Sequence, residues 1–214
     1  MNRTGHLKQL EPTRMSSLWK PALAGSLLVG MLTGCSLPEA QPDLTRFYVL
    51  TPTLAAAEMA KPAEAAPRVL LRGVMVPEFL RGKIMPVRLS DTELRYIDQA
   101  RWAEPLEAGL QRTLKVDLER SGRVRVVGRG SEPHDFEIAL QVRQCEGVVP
   151  GRVARLAARI EVYSGDVEAK LVAQDEFTTE IAGWDGANHA ELAKKLSEAA
   201  AQLAQRVADL LPAK

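Results

Sequence analysis

Cysteine, histidine and aromatic residues are scarce in this chain of 214 residues, with 2 Cys, 3 His and 5% Phe, Trp and Tyr together. Two cysteines cannot build a disulfide framework or a Cys-only zinc site. Three histidines leave little for a metal centre, so neither a metal nor a cofactor is expected. An excess of basic charge is also missing: 28 Lys+Arg stand against 27 Asp+Glu, which supplies no basic stripe for nucleic acid. No Walker A sequence, G-x-S-x-G or H-E-x-x-H occurs, so the common phosphate-loop, serine-hydrolase and zinc-protease signatures are excluded. What is present, 46% hydrophobic and 26% charged residues, is the balance of a globular chain.

The N-terminus differs from the rest. Arg3, Lys8, Arg14 and Lys20 face a single acid, Glu11, and residues 21–34 (PALAGSLLVGMLTG) carry no charge. As a helix that run spans about 21 Å, short of the roughly 30 Å hydrocarbon core. Basic residues, a short apolar run and small residues make a secretory signal, with Met1 or Met15 as its start. Leu32-Thr33-Gly34-Cys35 then has the leucine-small-glycine-cysteine pattern of a bacterial lipobox. Only a thiol can carry thioether-linked diacylglycerol, and small residues let a peptidase reach the preceding bond. Cys35 is thus the expected lipidation site, residues 1–34 the signal peptide, 35–45 the tether and 46–214 one domain. Three acyl chains at about 0.8 kcal/mol per buried CH₂ make a lasting anchor. Ser36 in place of aspartate favours the outer membrane under the lipoprotein sorting rule.

The domain reads as α+β. Phe47-Tyr48-Val49-Leu50 and residues 68–76 (RVLLRGVMV) are strands, and residues 87–89 and 94–97 flank a turn at Ser90-Asp91-Thr92-Glu93. Residues 53–67 read as a surface excursion or short helix. Leu106, Leu110, Leu114 and Leu118 form one stripe of a helix over 103–121. Leu192, Leu196, Ala199, Leu203, Val207 and Leu210 form that of a second over 188–211, opened by Asn188 and Glu191 at capping-box spacing. Between them the period is two, around Phe136, Ile138, Leu140 and Val142, then Ala154 through Val162, then Val167, Ala169, Leu171, Ala173 and Phe177. The expectation is a single, mostly antiparallel sheet with two amphipathic helices packed on one face.

No active site assembles in the sequence. His134 and His189 lack ligand neighbours and read as surface residues, Gly128-Arg129-Gly130 as a turn, and Cys145 as a buried structural thiol. The odd segment is residues 77–102, where Pro77, Phe79, Leu80, Ile84 and Met85 sit among proline and glycine. Apolar residues there suit a loop folded back on the body or a contact surface for another molecule.

These residues carry a resemblance. The lipobox at Cys35, Phe47-Tyr48-Val49-Leu50, Val76-Pro77-Glu78-Phe79-Leu80, Ile84-Met85 and Arg101-Trp102-Ala103-Glu104-Pro105-Leu106 together resemble the ABC-type transport auxiliary lipoproteins of the paraquat-inducible-operon kind. Arg81 departs from the aspartate common in that family. The resemblance implies a TolB N-terminal-domain-like fold, no enzymatic activity, and an accessory role beside an MCE-domain periplasmic protein and its inner-membrane transporter. It implies partner contacts at Pro77, Phe79, Leu80, Ile84 and Trp102, and outer-membrane lipids met through the acyl anchor. Self-association and direct carriage of a lipid between sheet and helices stay open. Trp102 and Glu104 admit a structural reading too, the tryptophan closing the apolar end of a helix and the glutamate favoured by its dipole.

Overall fold

The computed structural model describes residues 42–55, 66–128 and 132–212. Cys35, the leader, residues 56–65 of the expected excursion and Arg129-Gly130 lie outside them. Two compact units divide the chain, Met1–Asp43 and Leu44–Lys214. Every core residue among the described residues belongs to the second, which has a hydrophobic core of its own.

Strand β6 (Phe136–Val148) organises the sheet. Its one side pairs antiparallel with β7 (Val153–Ser164), which pairs antiparallel with β8 (Leu171–Ala182) at the sheet's edge. Its other side is shared end to end by two strands, β2 (Arg68–Met75) against Val69↔Phe136 to Met75↔Gln141, and β3 (Ile84–Arg88) at Val87↔Gly147. Beyond β2 lies the short β5 (Arg125–Val126). Beyond β3 come β4 (Leu94–Trp102) and then β1 (Arg46–Tyr48). The turn at Ser90–Glu93 joins β3 to β4 as an antiparallel hairpin, as the sequence predicts.

The helices are α1 (Leu106–Arg120) and α2 (His189–Leu210), packed on each other and on one face of the sheet. Leu106, Leu110, Leu114, Leu118, Leu192, Leu196 and Leu203 are all buried. The α2 N-cap is Asn188, whose side chain accepts the Ala190 and Glu191 N–H groups, two donors a helix start leaves without intrahelical partners. The first helix opens later than expected, with Pro105 as its N-cap.

The expected fold class holds with one addition. β2·β5, β2·β6 and β3·β6 are parallel pairings because α1 carries the chain back across the sheet before β5 and β6, and β1·β4, both ahead of α1, is parallel as well. Period-two alternation reports which face is dry but not which way the neighbour runs. The last strand is also shorter than its apolar alternation suggested. Val167 is fully exposed and Ala169 has φ 46°, both in the β7–β8 turn. There Asp166 Oδ1 accepts the N–H groups of Glu168 and Ala169 at 3.0 Å, an arrangement that competes with extended strand.

The two halves of the sheet's outer face differ in charge. On β6–β7–β8 and the adjoining β2, cations are matched across strands, Arg72 with Glu137, Arg143 with Glu176 and Arg155 with Glu180, and along β7, Arg159 with Glu161. Arg155 and Glu180 stand directly opposite in the β7–β8 ladder, where such a pair contributes about 0.2–1 kcal/mol. On β4, by contrast, Arg101 is exposed on this face, and Arg46 of β1 is exposed on the opposite, helix-side face; neither has a carboxylate at salt-bridge distance among the described residues.

Candidate partner-contact surface

β2 and β3 run along the same side of β6, and residues 76–83 are the excursion between them. Pro77 opens a single 3₁₀ turn at Glu78–Leu80, and Gly82 at φ 88° turns the chain back, a conformation that favours glycine. Leu80 points into the core at 1% exposure. Phe79 is half-buried, packed partly against the core, and its carbonyl accepts the Tyr96 hydroxyl at 3.2 Å. Glu78 pairs with Arg81 at 3.1 Å in full view of solvent.

The excursion is tied to the segment that starts α1. Lys83 carbonyl accepts the Trp102 N–H at 2.6 Å, Gly82 carbonyl accepts the Leu106 N–H at 3.2 Å, and Tyr48 carbonyl accepts the Ala103 N–H at 2.8 Å. Three stretches far apart in the chain, around Tyr48, Gly82 and Trp102, therefore meet at one corner. Lateral register places Phe47, Arg101 and Ile84 in one row across β1, β4 and β3. Phe47 is 61% exposed and Ile84 39%.

The residues singled out in the sequence now separate. Ile84 is exposed, Pro77 and Phe79 are half-buried at the rim, and Leu80 and Trp102 are core residues at 1% and 2% exposure. Leu80 and Trp102 thus shape the corner from beneath and present no surface of their own. The fold-back reading describes Leu80, while Ile84 and part of Phe79 stay at the surface, because a 3₁₀ turn points successive residues in different directions. Glu104 also does more than face the helix dipole: its Oε1 accepts Arg112 Nη2 at 2.6 Å, and the same Nη2 donates to the Leu50 carbonyl at 2.8 Å.

Side chains of α1 hold the segment after β1. Besides Arg112, Thr113 Oγ1 donates to the Leu50 carbonyl, Arg120 to the Pro52 and Leu54 carbonyls, and Asp117 Oδ1 accepts the Leu54 N–H at 3.0 Å. Asp117 is fully buried, its Oδ2 has no partner among the described residues, and burial pushes its carboxyl above the usual range against the Leu54 hydrogen bond and the Arg120 charge. A raised carboxyl means that its ionisation opposes folding, so its contribution to stability falls as pH rises through the carboxylate range. Asp117→Asn keeps the acceptor without the charge and should stay within about 1 kcal/mol of wild type at pH 7. Asp117→Ala strands the Leu54 N–H and should cost about 1–3 kcal/mol. Urea titrations of the two variants check this, and equal losses would contradict it.

Chemistry of the catalytic kind does not gather here. The Cys145 thiol is fully buried and pushed up to about 12 by burial, with Glu146 adding to the rise, which keeps it unreactive. Among the described residues no group of three or more His, Cys, Asp or Glu could hold a metal. His134 is not the plain surface residue expected: its ring nitrogens meet the Glu132 carbonyl at 2.7 Å and Glu137 Oε1 at 2.9 Å. These bonds hold its pKa above the ordinary histidine value.

The sequence reading missed the ion pair of Arg88 with the fully buried Glu146. Its one signal is the lapse of alternation at Gln144-Cys145-Glu146-Gly147, where an extra residue, Arg143, interrupts the β6–β7 register.

Comparison with known proteins brings in independent findings. A sequence model of the family described as ABC-type transport auxiliary lipoprotein component matches residues 48–208. The chain is similar to the crystal structure of an uncharacterized protein at 20% identity and TM-score 0.62, covering 77% of this chain and 97% of that one. It is also similar to a Xanthomonas campestris protein of family DUF330 at 19% identity and TM-score 0.63, covering 76% and 92%. At these identities the structures establish the fold alone. Curated proteins give no match.

Proposed function

The chain belongs to the ABC-type transport auxiliary lipoprotein family, and from that premise we propose that it is an outer-membrane lipoprotein, anchored through Cys35, that docks an MCE-domain periplasmic protein and couples it to lipid transport. Membership by itself makes the chain a transport auxiliary component of membrane-anchored, periplasm-facing kind with a non-catalytic role. The outer membrane, the MCE partner and the contact residues are the proposal's own.

The observation that carries it is the corner where the Tyr48, Gly82 and Trp102 stretches meet. Fixed from beneath by Leu80 and Trp102, it holds Pro77, Phe79 and Ile84 at the surface on a rigid base. A preorganised apolar rim of this kind lowers the ordering cost of docking a partner. The anchor adds effective concentration at the membrane without a new interface. The lipid-carrier alternative gains no support from the packing. The space between helices and sheet is filled by core side chains, and a surface groove of about 550 Å³ is lined partly by Arg120, Arg123 and Asp209.

Two experiments test the proposal. Cys35→Ser should abolish acylation, and full outer-membrane retention of that variant at unchanged mass would refute the anchor. Ile84→Asp places a charge at an exposed position and should leave the melting curve nearly unchanged. It should also lower co-purification of the MCE partner at least tenfold, with Phe79→Ala as a second probe of the rim. Wild-type capture by both variants would overturn the contact reading.

A further inference from the structure

The proposed contact rim ends at Ile84, yet the apolar row continues through Arg101 to Phe47 on β1. β1 is an edge strand, and its surface is unusual for an edge. Leu44 and Phe47 are each 61% exposed and Val49 is 47% exposed. Arg101 lies exposed beside Phe47 on the outer face, and Arg46 with Leu44 lines the opposite face beside the start of α2. The two arginines thus flank the edge, without carboxylate partners among the described residues. Asp98 is the exposed carboxylate on β4, three positions before Arg101. The outer face of β6, β7 and β8 shows what this edge lacks, since there the arginines are matched by glutamates, across strands or along β7.

Position along the chain says what this surface meets. Leu44 is nine positions after Cys35, a reach of at most about 32 Å when fully extended. The first residues of the domain are therefore held within that distance of whatever holds the acyl chains. Exposed aliphatic and aromatic side chains interleaved with unpaired arginines have the chemistry of an interfacial membrane contact. The apolar groups enter the headgroup boundary, and the guanidinium groups meet phosphate.

We propose that the β1 edge of the sheet, with Phe47 and Arg101 on its outer face and Leu44 and Arg46 on its helix side, rests on anionic phospholipid and sets the orientation of the domain on its membrane. With β1 laid on the lipid, the Ile84 and Phe79 rim faces along the membrane surface or away from it, free for a partner. The Cys35 anchor proposed above supplies proximity, and this surface supplies orientation.

The test uses residues 36–214, which contain the whole core and lack the acylated cysteine, so it does not depend on the anchor. Flotation is measured with vesicles of phosphatidylcholine alone and with about one-third phosphatidylglycerol, at low and high salt. At low salt the fragment should bind the anionic vesicles at least fivefold better than the neutral ones, and high salt should remove most of that difference. Arg46→Glu with Arg101→Glu should abolish the preference, and Phe47→Ser should weaken binding about threefold, all with wild-type melting curves because these side chains are exposed. Arg155→Glu, on the ion-paired half of the face, should bind as wild type does. Three results would overturn the proposal. One is equal binding to both vesicle types, and another is wild-type binding by the β1 and β4 variants. The third is loss of a fragment dimer or of MCE-partner capture in those variants with vesicle binding unchanged, which would give this surface to a second copy or to the partner. Failure of this test leaves Cys35 and the Ile84 rim standing, and failure of Cys35→Ser leaves this surface standing.

Discussion

Replacing Arg88 with methionine should lower the unfolding free energy by about 3–5 kcal/mol, the cost of leaving a buried charge without its partner. Glu146 lies in the middle of the sheet at 0% exposure, and Arg88, at the end of β3, meets both of its oxygens, Nη2 to Oε2 at 3.3 Å. Gln144 donates to Oε1 at 3.4 Å and the Arg88 Nη1 also reaches the Asp91 carbonyl at 3.2 Å, so the pair fastens the β3–β4 turn to β6. Removing both charges together, in Arg88→Met with Glu146→Leu, should recover most of the loss, because two apolar side chains need no partners. Arg155→Met, which breaks an exposed pair with Glu180, should cost no more than about 1 kcal/mol. Urea denaturation of the three variants is the measurement. A loss below about 1 kcal/mol for Arg88→Met would show that Glu146 finds water or another donor.

Leu110→Ala and Leu203→Ala should each cost about 2–5 kcal/mol. Both side chains are completely buried, Leu110 on α1 and Leu203 on α2. Truncation removes the transfer free energy of the side chain and leaves a cavity that a packed helix cannot close. Because α1 and α2 pack on each other, the double variant need not be the sum of the two singles, and its departure from additivity measures how far the cavities share walls. Val167→Ala, at a fully exposed turn position, is the control and should change stability by less than about 0.5 kcal/mol. Losses below that value at both leucines would contradict the assignment of the buried helix faces.

Much of the domain was legible in the sequence for identifiable reasons. The leucines of α1 recur every four residues and the apolar residues of the α2 stripe every three or four, so each helix and its buried face follow from the period of the backbone itself. Asn188 announces the start of α2 because a side-chain acceptor there satisfies backbone donors within its own first turn. Ile138, Leu140 and Val142 alternate with polar residues because one face of β6 is dry. At the candidate surface, Phe79 and Ile84 stood out as apolar residues among proline and glycine, and both keep a part at the surface.

The remainder depended on residues distant in the chain. Gly147 carries no sign in the sequence that Trp184 will cross it, yet a Cβ there would lie 2.5 Å from the indole. Leu80 and Ile84 look alike in sequence, four positions apart in one loop, and one is core while the other is exposed. The difference comes from the turn at Gly82 and the hydrogen bonds of Gly82 and Lys83 to Leu106 and Trp102. Local periodicity, caps and the lipobox are properties of neighbouring residues, so the sequence alone determined the fold class, the buried helix faces and the expected site of the anchor. Strand direction, the burial of Glu146 and the lateral row of Phe47, Arg101 and Ile84 are set by which strands lie side by side. Only the tertiary structure decided these, because pairing between distant strands is a choice among whole-chain arrangements that no local pattern encodes.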